Sequence, residues 1–171
     1  MYTLLDLRGL ILHCYYAGDD VDGSRDEDGA KLHNPAHTLK NFWDLYLEGI
    51  LKDTTIRQII AVEDRQSRYR LTLFPEYKAH RKKVVKSEAL KLALEASFAA
   101  VHGLLDALGI VRVYASRVEA DDIIAYMAGK LQCSIYTVDK DLIQLARANR
   151  CEVYVKGIYT SSLQMEQGEV A

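Results

Sequence analysis

The sequence predicts an α/β domain with a central, mostly parallel twisted sheet and helices on both of its faces. Short apolar runs alternate along the chain with longer segments whose apolar residues recur every three or four positions, which is the pattern of strands separated by helices. Strands joined through helices pair in parallel, because the helix returns the chain to the same end of the sheet. The 171 residues, 49% hydrophobic and 27% charged, suffice for one domain with a buried core.

Each strand and helix follows from a local pattern. The predicted strands are runs rich in Ile, Val, Leu and Tyr at residues 2–5, 58–63, 110–114, 134–138 and 152–155. The predicted helices cover residues 35–51, 87–108, 119–131 and 141–148, and residues 10–16 are predicted to form a helix or a turn. Pro35 after Asn34 is typical of a helix start. Ser87 is a favourable N-cap, and Gly109 a favourable stop, for the most regular helix.

Acidic residues gather where the predicted elements begin and end. Within residues 118–145, three acids open a helix and two follow a strand. These acids are Glu119, Asp121, Asp122, Asp139 and Asp141. Alone, they also fit a simpler interpretation, since carboxylates favour the positive end of a helix dipole and solvated turns. Asp6 and Asp64, however, end two other predicted strands. Because sites in parallel sheets lie beyond the carboxyl ends of the strands, we expect these carboxylates to converge.

Seven carboxylates in one cleft predict a metal site. They would repel one another and raise one another's pKa unless cations neutralised them. Oxygen ligands without His or Cys favour hard ions, Mg²⁺ or Mn²⁺, over Zn²⁺. Two such ions can activate a water and stabilise the leaving oxygen of a phosphodiester. The acids therefore indicate a metal-dependent nuclease.

A basic segment supplies the matching substrate contact. Residues 65–91 hold nine Lys and Arg against two Glu, with Tyr69, Phe74 and Tyr77 among them. Basic residues interleaved with aromatics suit a phosphate backbone and base stacking. The alternative is a solvated helix face. The length and single sign of the segment, in a chain of net charge −2, favour nucleic acid.

Composition and simple motifs exclude several other classes. The net charge argues against a uniformly basic nucleic-acid coat, though not against a local patch. Cys14, Cys133 and Cys151 have no metal-ligand spacing and predict reduced thiols. The Asp-rich residues 18–29 do not fit a calcium loop, because the sixth and twelfth positions counted from Asp20, which need Gly and Glu, are Arg25 and Lys31. With no signal peptide and no apolar run long enough to span a bilayer, we expect a cytoplasmic protein without membrane association.

Five motifs resemble the 5′–3′ exonuclease and flap endonuclease family. They are L-L-D at 4–6, V-E-D at 62–64, Y-R-L-T-L-F-P-E-Y-K-A-H-R at 69–81, V-E-A-D-D-I at 118–123 and V-D-K-D-L-I-Q-L at 138–145. The closest resemblance is to bacteriophage members and to the 5′-nuclease domain of bacterial DNA polymerase I. It implies a PIN-like α/β nuclease domain over residues 1–160, with a helical arch at about 81–100 and a tail at 161–171.

The resemblance also implies roles for individual residues. Asp6, Asp64, Glu119 and Asp121 match the ligands of a first metal. Asp122, Asp139 and Asp141 match those nearer a second metal. The catalytic residues that the resemblance implies are Asp121, Lys78 and Arg81. Of these, Lys78 and Arg81 match the basic pair at the scissile phosphate. The implied substrate contacts are Arg70, Tyr77, Lys78, Arg81, Lys82 and Lys83, with Tyr77 stacking on a base.

The implied activity is hydrolysis of DNA at 5′ ends or flaps by a two-metal mechanism with Mg²⁺ or Mn²⁺. Two alternatives stay open: a DNA-binding subunit that needs a separate duplex-binding chain, and a PIN-type ribonuclease. The long basic segment argues against the ribonuclease.

The sequence departs from the family pattern at three places. His13 stands where many members have Arg. Thr137-Val138 replaces the usual Ser-Gly, a change expected to leave the metal ligands untouched. Residues 1–171 contain no match to the helix–three-turn–helix region that grips duplex DNA in family members. We therefore expect either a separate duplex-binding chain as a partner or a compact nuclease with weaker duplex binding, and in both cases a more loosely held second metal.

Overall fold

The computed structural model describes residues 1–17, 24–64, 72, 74, 76, 87–148, 151–156 and 158–160. Their sheet has six strands in the order β3-β2-β1-β4-β5-β6. The strands are β1 (Tyr2–Asp6), β2 (Gln58–Val62), β3 (Val111–Val113), β4 (Cys133–Thr137), β5 (Cys151–Val155) and β6 (Ile158–Thr160). Strands β1 to β5 run parallel, and β6 is antiparallel to β5. The predicted five-stranded parallel sheet is confirmed, and β6 is an addition to it.

The helices occupy the predicted intervals with two changes of type. They are α1 (Leu7–Tyr16), α2 (Pro35–Phe42), a π-helical turn (Trp43–Leu47), α3 (Glu48–Lys52), α4 (Glu88–Ala107), α5 (Ala120–Ala128) and a 3₁₀ helix (Lys140–Ala148). The predicted helix 35–51 is thus interrupted by the π-helical turn, and the predicted helix 141–148 is 3₁₀. Asn34 caps α2 by accepting from the His37 N–H at 3.0 Å, and Ser87 caps α4 by accepting from the Leu90 N–H at 3.1 Å. None of the described helices is both long and apolar enough to cross a bilayer.

Helices cover both faces of the sheet, as predicted. Successive strand residues point to opposite faces, so Leu4 packs with Ile124 of α5 in one apolar cluster. Leu5 packs with Val101 and Leu105 of α4 in the other. All five of these side chains are fully buried. This two-sided burial is typical of parallel sheets, and it fixes the strand ends relative to the helices.

The topology brings four chain segments to one edge of the sheet, here named the carboxyl edge. It is formed by the carboxyl ends of β1, β2 and β4 and by the amino end of α5. Asp6 is the last residue of β1 and pairs in register with Val62, the last residue of β2. The strand order reverses direction between β1 and β4, which is where open α/β sheets place their binding sites.

Candidate active site

Asp6 is the centre of the acidic cluster on the carboxyl edge. It is 8% exposed, and its Oδ2 accepts a hydrogen bond from the Thr137 hydroxyl at 2.7 Å. The pKa of Asp6 is raised from 3.8 to about 6. Burial is the largest cause, the hydrogen bond from Thr137 opposes it, and the negative charges of Asp121, Asp139 and Asp64 add to it. Carboxylates from four separate segments therefore lie close enough to act on one another.

Asp64 has an unsatisfied oxygen in this cluster. Its Oδ1 is buried and has no hydrogen-bond partner among the described residues. A buried acceptor without a partner is costly, and nearly all such atoms in folded proteins are satisfied. A cation would satisfy this oxygen, and it would also offset the repulsion that raises the pKa of Asp6.

The start of α5 supplies three more acids. Glu119 is the N-cap residue and is 9% exposed. Its side chain does not cap the helix, although its backbone carbonyl accepts from the Asp122 N–H at 3.2 Å. Asp121 and Asp122 lie in the first turn and are half-buried. The helix dipole favours acids at this position, but the effect of Asp121 on Asp6 shows that at least one of them also faces the cluster.

The loop after β4 carries Asp139 and Asp141. The Asp139 N–H donates to the Thr137 hydroxyl oxygen at 2.9 Å, and the Asp141 N–H donates to Asp139 Oδ1 at 2.8 Å. Asp139 is half-buried, whereas Asp141 is exposed. The structure therefore joins Asp139 to the cluster through Thr137, and the contact that it shows for Asp141 is local to the turn.

The donor chemistry of the cluster fits a hard divalent cation. The acids present carboxylate oxygens, and one buried oxygen lacks a partner. As the side chains stand, however, no three His, Cys, Asp or Glu side chains of the described residues are grouped as a ready ligand set for one ion.

Thr137 is a site residue that the sequence did not single out. That the change from Ser-Gly to Thr137-Val138 leaves the metal ligands untouched stays a prediction, but residue 137 itself contacts an acid of the cluster. The Thr137 hydroxyl donates to Asp6 and accepts from the Asp139 N–H, so it links the ends of β1 and β4. A serine would offer the same hydroxyl. The hydroxyl that Ser and Thr share was therefore the signal in the sequence that could have identified position 137 as a site residue.

His13 does not supply the positive charge that an arginine provides at this position in many of the resembling sequences. Its Nδ1 lies 2.5 Å from the Tyr46 hydroxyl. Burial lowers the pKa of His13, and the positive charge of Lys156 lowers it further. Lys156 follows β5, and its N–H donates to the Thr137 carbonyl at 2.9 Å. The positive charge beside His13 is therefore that of Lys156.

The residues predicted to contact substrate, five basic and one aromatic, lie outside the described residues. These are Arg70, Tyr77, Lys78, Arg81, Lys82 and Lys83. The same holds for residues 81–86 of the predicted arch and for the tail at 161–171. The rest of the predicted arch, residues 87–100, is the capped amino-terminal part of α4.

Gly9 of α1 allows the helix to pack closely against the cluster. A Cβ atom at this position would lie 2.7 Å from Val138 Cγ2 and 3.2 Å from Asp6 Oδ2. We expect Gly9→Ala to destabilise the protein by about 1–3 kcal/mol, because overpacking forces neighbouring groups to shift. Chemical denaturation measures this loss, and a nuclease assay should show lower activity because Asp6 is displaced.

Gly103→Ala is the matched control. Gly103 lies inside α4, and a Cβ there would meet nothing within 4 Å. Alanine should stabilise this helix by roughly 0.5–1 kcal/mol. Equal effects of the two substitutions would show that the close contact at Gly9 does not constrain the site.

Comparison with known proteins decides the family. The model of the family described as 5′–3′ exonuclease, N-terminal resolvase-like domain, matches residues 1–170. The chain belongs to this family. A 5′–3′ exonuclease of Streptomyces coelicolor is 31% identical in an alignment 172 residues long, which covers 94% of this chain and 55% of that protein. A 5′–3′ exonuclease of Buchnera aphidicola is 26% identical in an alignment 141 residues long, which covers 79% of this chain and 45% of that protein. This exonuclease-family chain thus spans about half the length of these relatives.

Solved structures confirm the PIN-like α/β fold. The T5 5′-exonuclease with bound zinc superposes with a TM-score of 0.68 at 17% identity, over 98% of this chain and 60% of that one. The bacteriophage T5 flap endonuclease, in a pseudo-enzyme-product complex with DNA and metal ions, superposes with a TM-score of 0.69 over the same shares and at the same identity. At this identity the likeness establishes the fold of the exonuclease-family chain.

Proposed function

We propose that this exonuclease-family chain is a divalent-metal-dependent nuclease that hydrolyses DNA at 5′ ends or flaps. The observation that carries the proposal is the convergence of Asp6, Asp64, Asp121 and Asp139 on the carboxyl edge, where the charges of the other three acids raise the pKa of the buried Asp6 and Asp64 Oδ1 is buried without a hydrogen-bond partner among the described residues. Such a cluster suits a cation and, through it, a phosphodiester. The relatives' name, 5′–3′ exonuclease, supports the reaction class.

Two groups of acids would hold Mg²⁺ or Mn²⁺. The first group is Asp6, Asp64, Glu119 and Asp121, and the second is Asp122, Asp139 and Asp141. When bound, the ions would activate the attacking water and stabilise the leaving oxygen. The first group is the more buried one, with Asp6 and Glu119 below one-tenth exposed, so we propose that the tighter site lies there. The exposure of Asp141 is consistent with a weaker second site.

The chain's other residues would orient the ligands and bind the substrate. Thr137 holds Asp6 by a hydrogen bond to Oδ2, which leaves Oδ1 of that carboxylate for other partners. We assign Lys78 and Arg81 to the scissile phosphate, where fixed positive charge stabilises the transition state. Tyr77 would stack on a base, and the remaining contacts to the phosphates would come from Arg70, Lys82 and Lys83. The nuclease domain would span residues 1–160, with 161–171 as a tail.

A cleavage assay on the purified chain tests the proposal. A labelled 5′-flap DNA with Mn²⁺ or Mg²⁺ should be cut, with no cutting in EDTA. A 3′ flap of the same sequence and a single-stranded RNA are the comparison substrates, and we expect both to be cut at least tenfold more slowly. Faster cleavage of the RNA would favour a PIN-type ribonuclease and contradict the DNA assignment.

A second candidate is a DNA-binding subunit that needs a separate duplex-binding chain. The chain covers 55% and 45% of the length of these two relatives. The purified chain would then bind flap DNA in a gel-shift assay without cutting it, and a chain carrying a helix–three-turn–helix region would restore cleavage. Cleavage by the purified chain alone would exclude it.

A further inference from the structure

A network of charged side chains holds the residue that precedes Asp64. Glu63 follows β2, and its Oε1 accepts from Arg112 Nη1 at 2.8 Å. Arg112, on β3, also donates from Nε and Nη2 to the two carboxylate oxygens of Asp106 on α4, both at 3.1 Å. His102, one turn earlier on α4, places Nε2 at 3.5 Å from the same Glu63 oxygen. Glu63 is therefore tied to both β3 and α4.

The Glu63 half of the network is more buried than the Asp106 half. The side chain of Glu63 is 12% exposed, against 28% for Arg112 and 58% for Asp106. Contact with both acids raises the pKa of Arg112, the Glu63 bond being the largest cause. Removing the partner of a largely buried carboxylate leaves a charge that the protein cannot solvate. The Glu63–Arg112 pair therefore constrains the backbone at Glu63 more than the exposed Arg112–Asp106 pair does.

The network determines where the Asp64 carboxylate points. The Glu63 N–H donates to the Val113 carbonyl at 2.8 Å, so the pairing between β2 and β3 continues to Glu63. In extended chain, neighbouring side chains point to opposite faces. With Glu63 held on the α4 face, Asp64 is directed to the other side, where its charge acts on Asp6 and its Oδ1 is buried.

We propose that Arg112 is a positioning residue, which sets the Asp64 carboxylate for cation binding by holding Glu63. This inference rests on the proposed function, since it assumes a cation at the acidic cluster. Arg112 acts through Glu63, and none of its contacts described above is to the cluster itself. Positioning by the groups behind a metal ligand typically changes metal affinity by about 10–100-fold.

The test is Mn²⁺ binding by isothermal titration calorimetry, without DNA, for the wild-type chain and for Arg112→Gln. We expect Arg112→Gln to weaken Mn²⁺ binding by roughly 10-fold or more. The direction of the change in Mn²⁺ affinity is informative. By electrostatics alone, loss of the positive charge of Arg112 would tighten cation binding by the carboxylates. Tighter or unchanged binding in Arg112→Gln would overturn the inference.

Asp106→Asn is the matched control, since it weakens the exposed half of the network and leaves the Glu63 bond in place. Its Mn²⁺ affinity should stay within about twofold of wild type, because exposed ion pairs contribute little. Equal weakening by Asp106→Asn and Arg112→Gln would show a general structural role and overturn the inference. Thermal unfolding in EDTA accompanies each titration, so that a loss of folded protein is measured directly.

A second pair of variants covers the case in which Arg112→Gln does not fold. Glu63→Gln and Glu63→Ala both remove the negative charge, and Arg112 keeps its bond to Asp106 in both. Only Gln still accepts a hydrogen bond from Arg112, so positioning predicts weaker Mn²⁺ binding in Glu63→Ala than in Glu63→Gln. Equal affinities would overturn the inference. A wild-type chain that neither binds Mn²⁺ nor cuts DNA would overturn the proposed function as well, whereas a binding wild type with unaffected variants would overturn the positioning role alone.

Discussion

Asp121→Asn is expected to reduce DNA cleavage by about 1,000-fold or more, a loss of about 4 kcal/mol of transition-state stabilisation. Asp121 lies in the first turn of α5 and acts on Asp6 through its charge. Asparagine keeps the shape of the side chain but removes the charge that a divalent cation requires. Because Asp121 is only half-buried, the fold should remain intact.

Cleavage of the 5′-flap substrate under single-turnover conditions measures this loss, and circular dichroism checks the fold. Glu48→Gln is the control, since Glu48 is an exposed acid on α3 that pairs with Lys52. It removes one negative charge far from the carboxyl edge and should leave the rate within about twofold, as exposed pairs of this kind contribute little. A fully active Asp121→Asn variant would contradict the assignment of the site.

Asp6→Asn is expected to abolish cleavage and yet to stabilise the metal-free protein at neutral pH. The pKa of Asp6 is raised from 3.8 to about 6, first by burial and then by the neighbouring carboxylates. At pH 7 the folded protein must keep this buried group charged beside other negative charges. A shift of this size corresponds to about 2–3 kcal/mol, which asparagine would recover.

The pH dependence of this stability difference follows from the direction in which folding shifts the pKa of Asp6. A carboxyl group whose pKa is raised by folding contributes stability below its unfolded pKa, and this contribution is lost as the pH rises through the folded value. For Asp6 the window runs from about 4 to about 6. Wild type and Asp6→Asn should therefore be equally stable near pH 4 and diverge as the pH rises toward 7.

Urea denaturation and thermal unfolding, both in EDTA and across this pH range, measure the difference in stability. At pH 7 the variant should unfold at a melting temperature roughly 5–10 °C higher than wild type. Mn²⁺ should stabilise the wild type and leave the variant unchanged, since stabilisation by a ligand requires its binding site. If Asp6→Asn were less stable than wild type at pH 7 in EDTA, burial and the neighbouring carboxylates would not destabilise the charged form of Asp6 as inferred.

Much of the fold follows from local patterns. The strands match the predicted runs to within about two residues, because each is a short apolar segment between polar ends. Asn34 and Ser87 were predicted as helix boundaries, and both side chains cap their helices in the structure. The three-residue strand β6 was missed because so short a run has no periodicity to detect. The helix type at residues 43–47 and 140–148 also has no signal in the apolar pattern.

The sequence by itself determined the α/β class, the positions of the acids at strand ends and the basic segment, since these depend on residue type and spacing along the chain. Tertiary structure alone decided which acids act on one another and which neighbours hold them. The hydrogen bond from Thr137 to Asp6 joins residues 131 positions apart, and Arg112 reaches Glu63 across 49 positions. The close approach of Gly9 to Val138 is of the same kind. Such contacts arise only when the sheet order brings distant segments to one edge. The local periodicity of the sequence does not predict them.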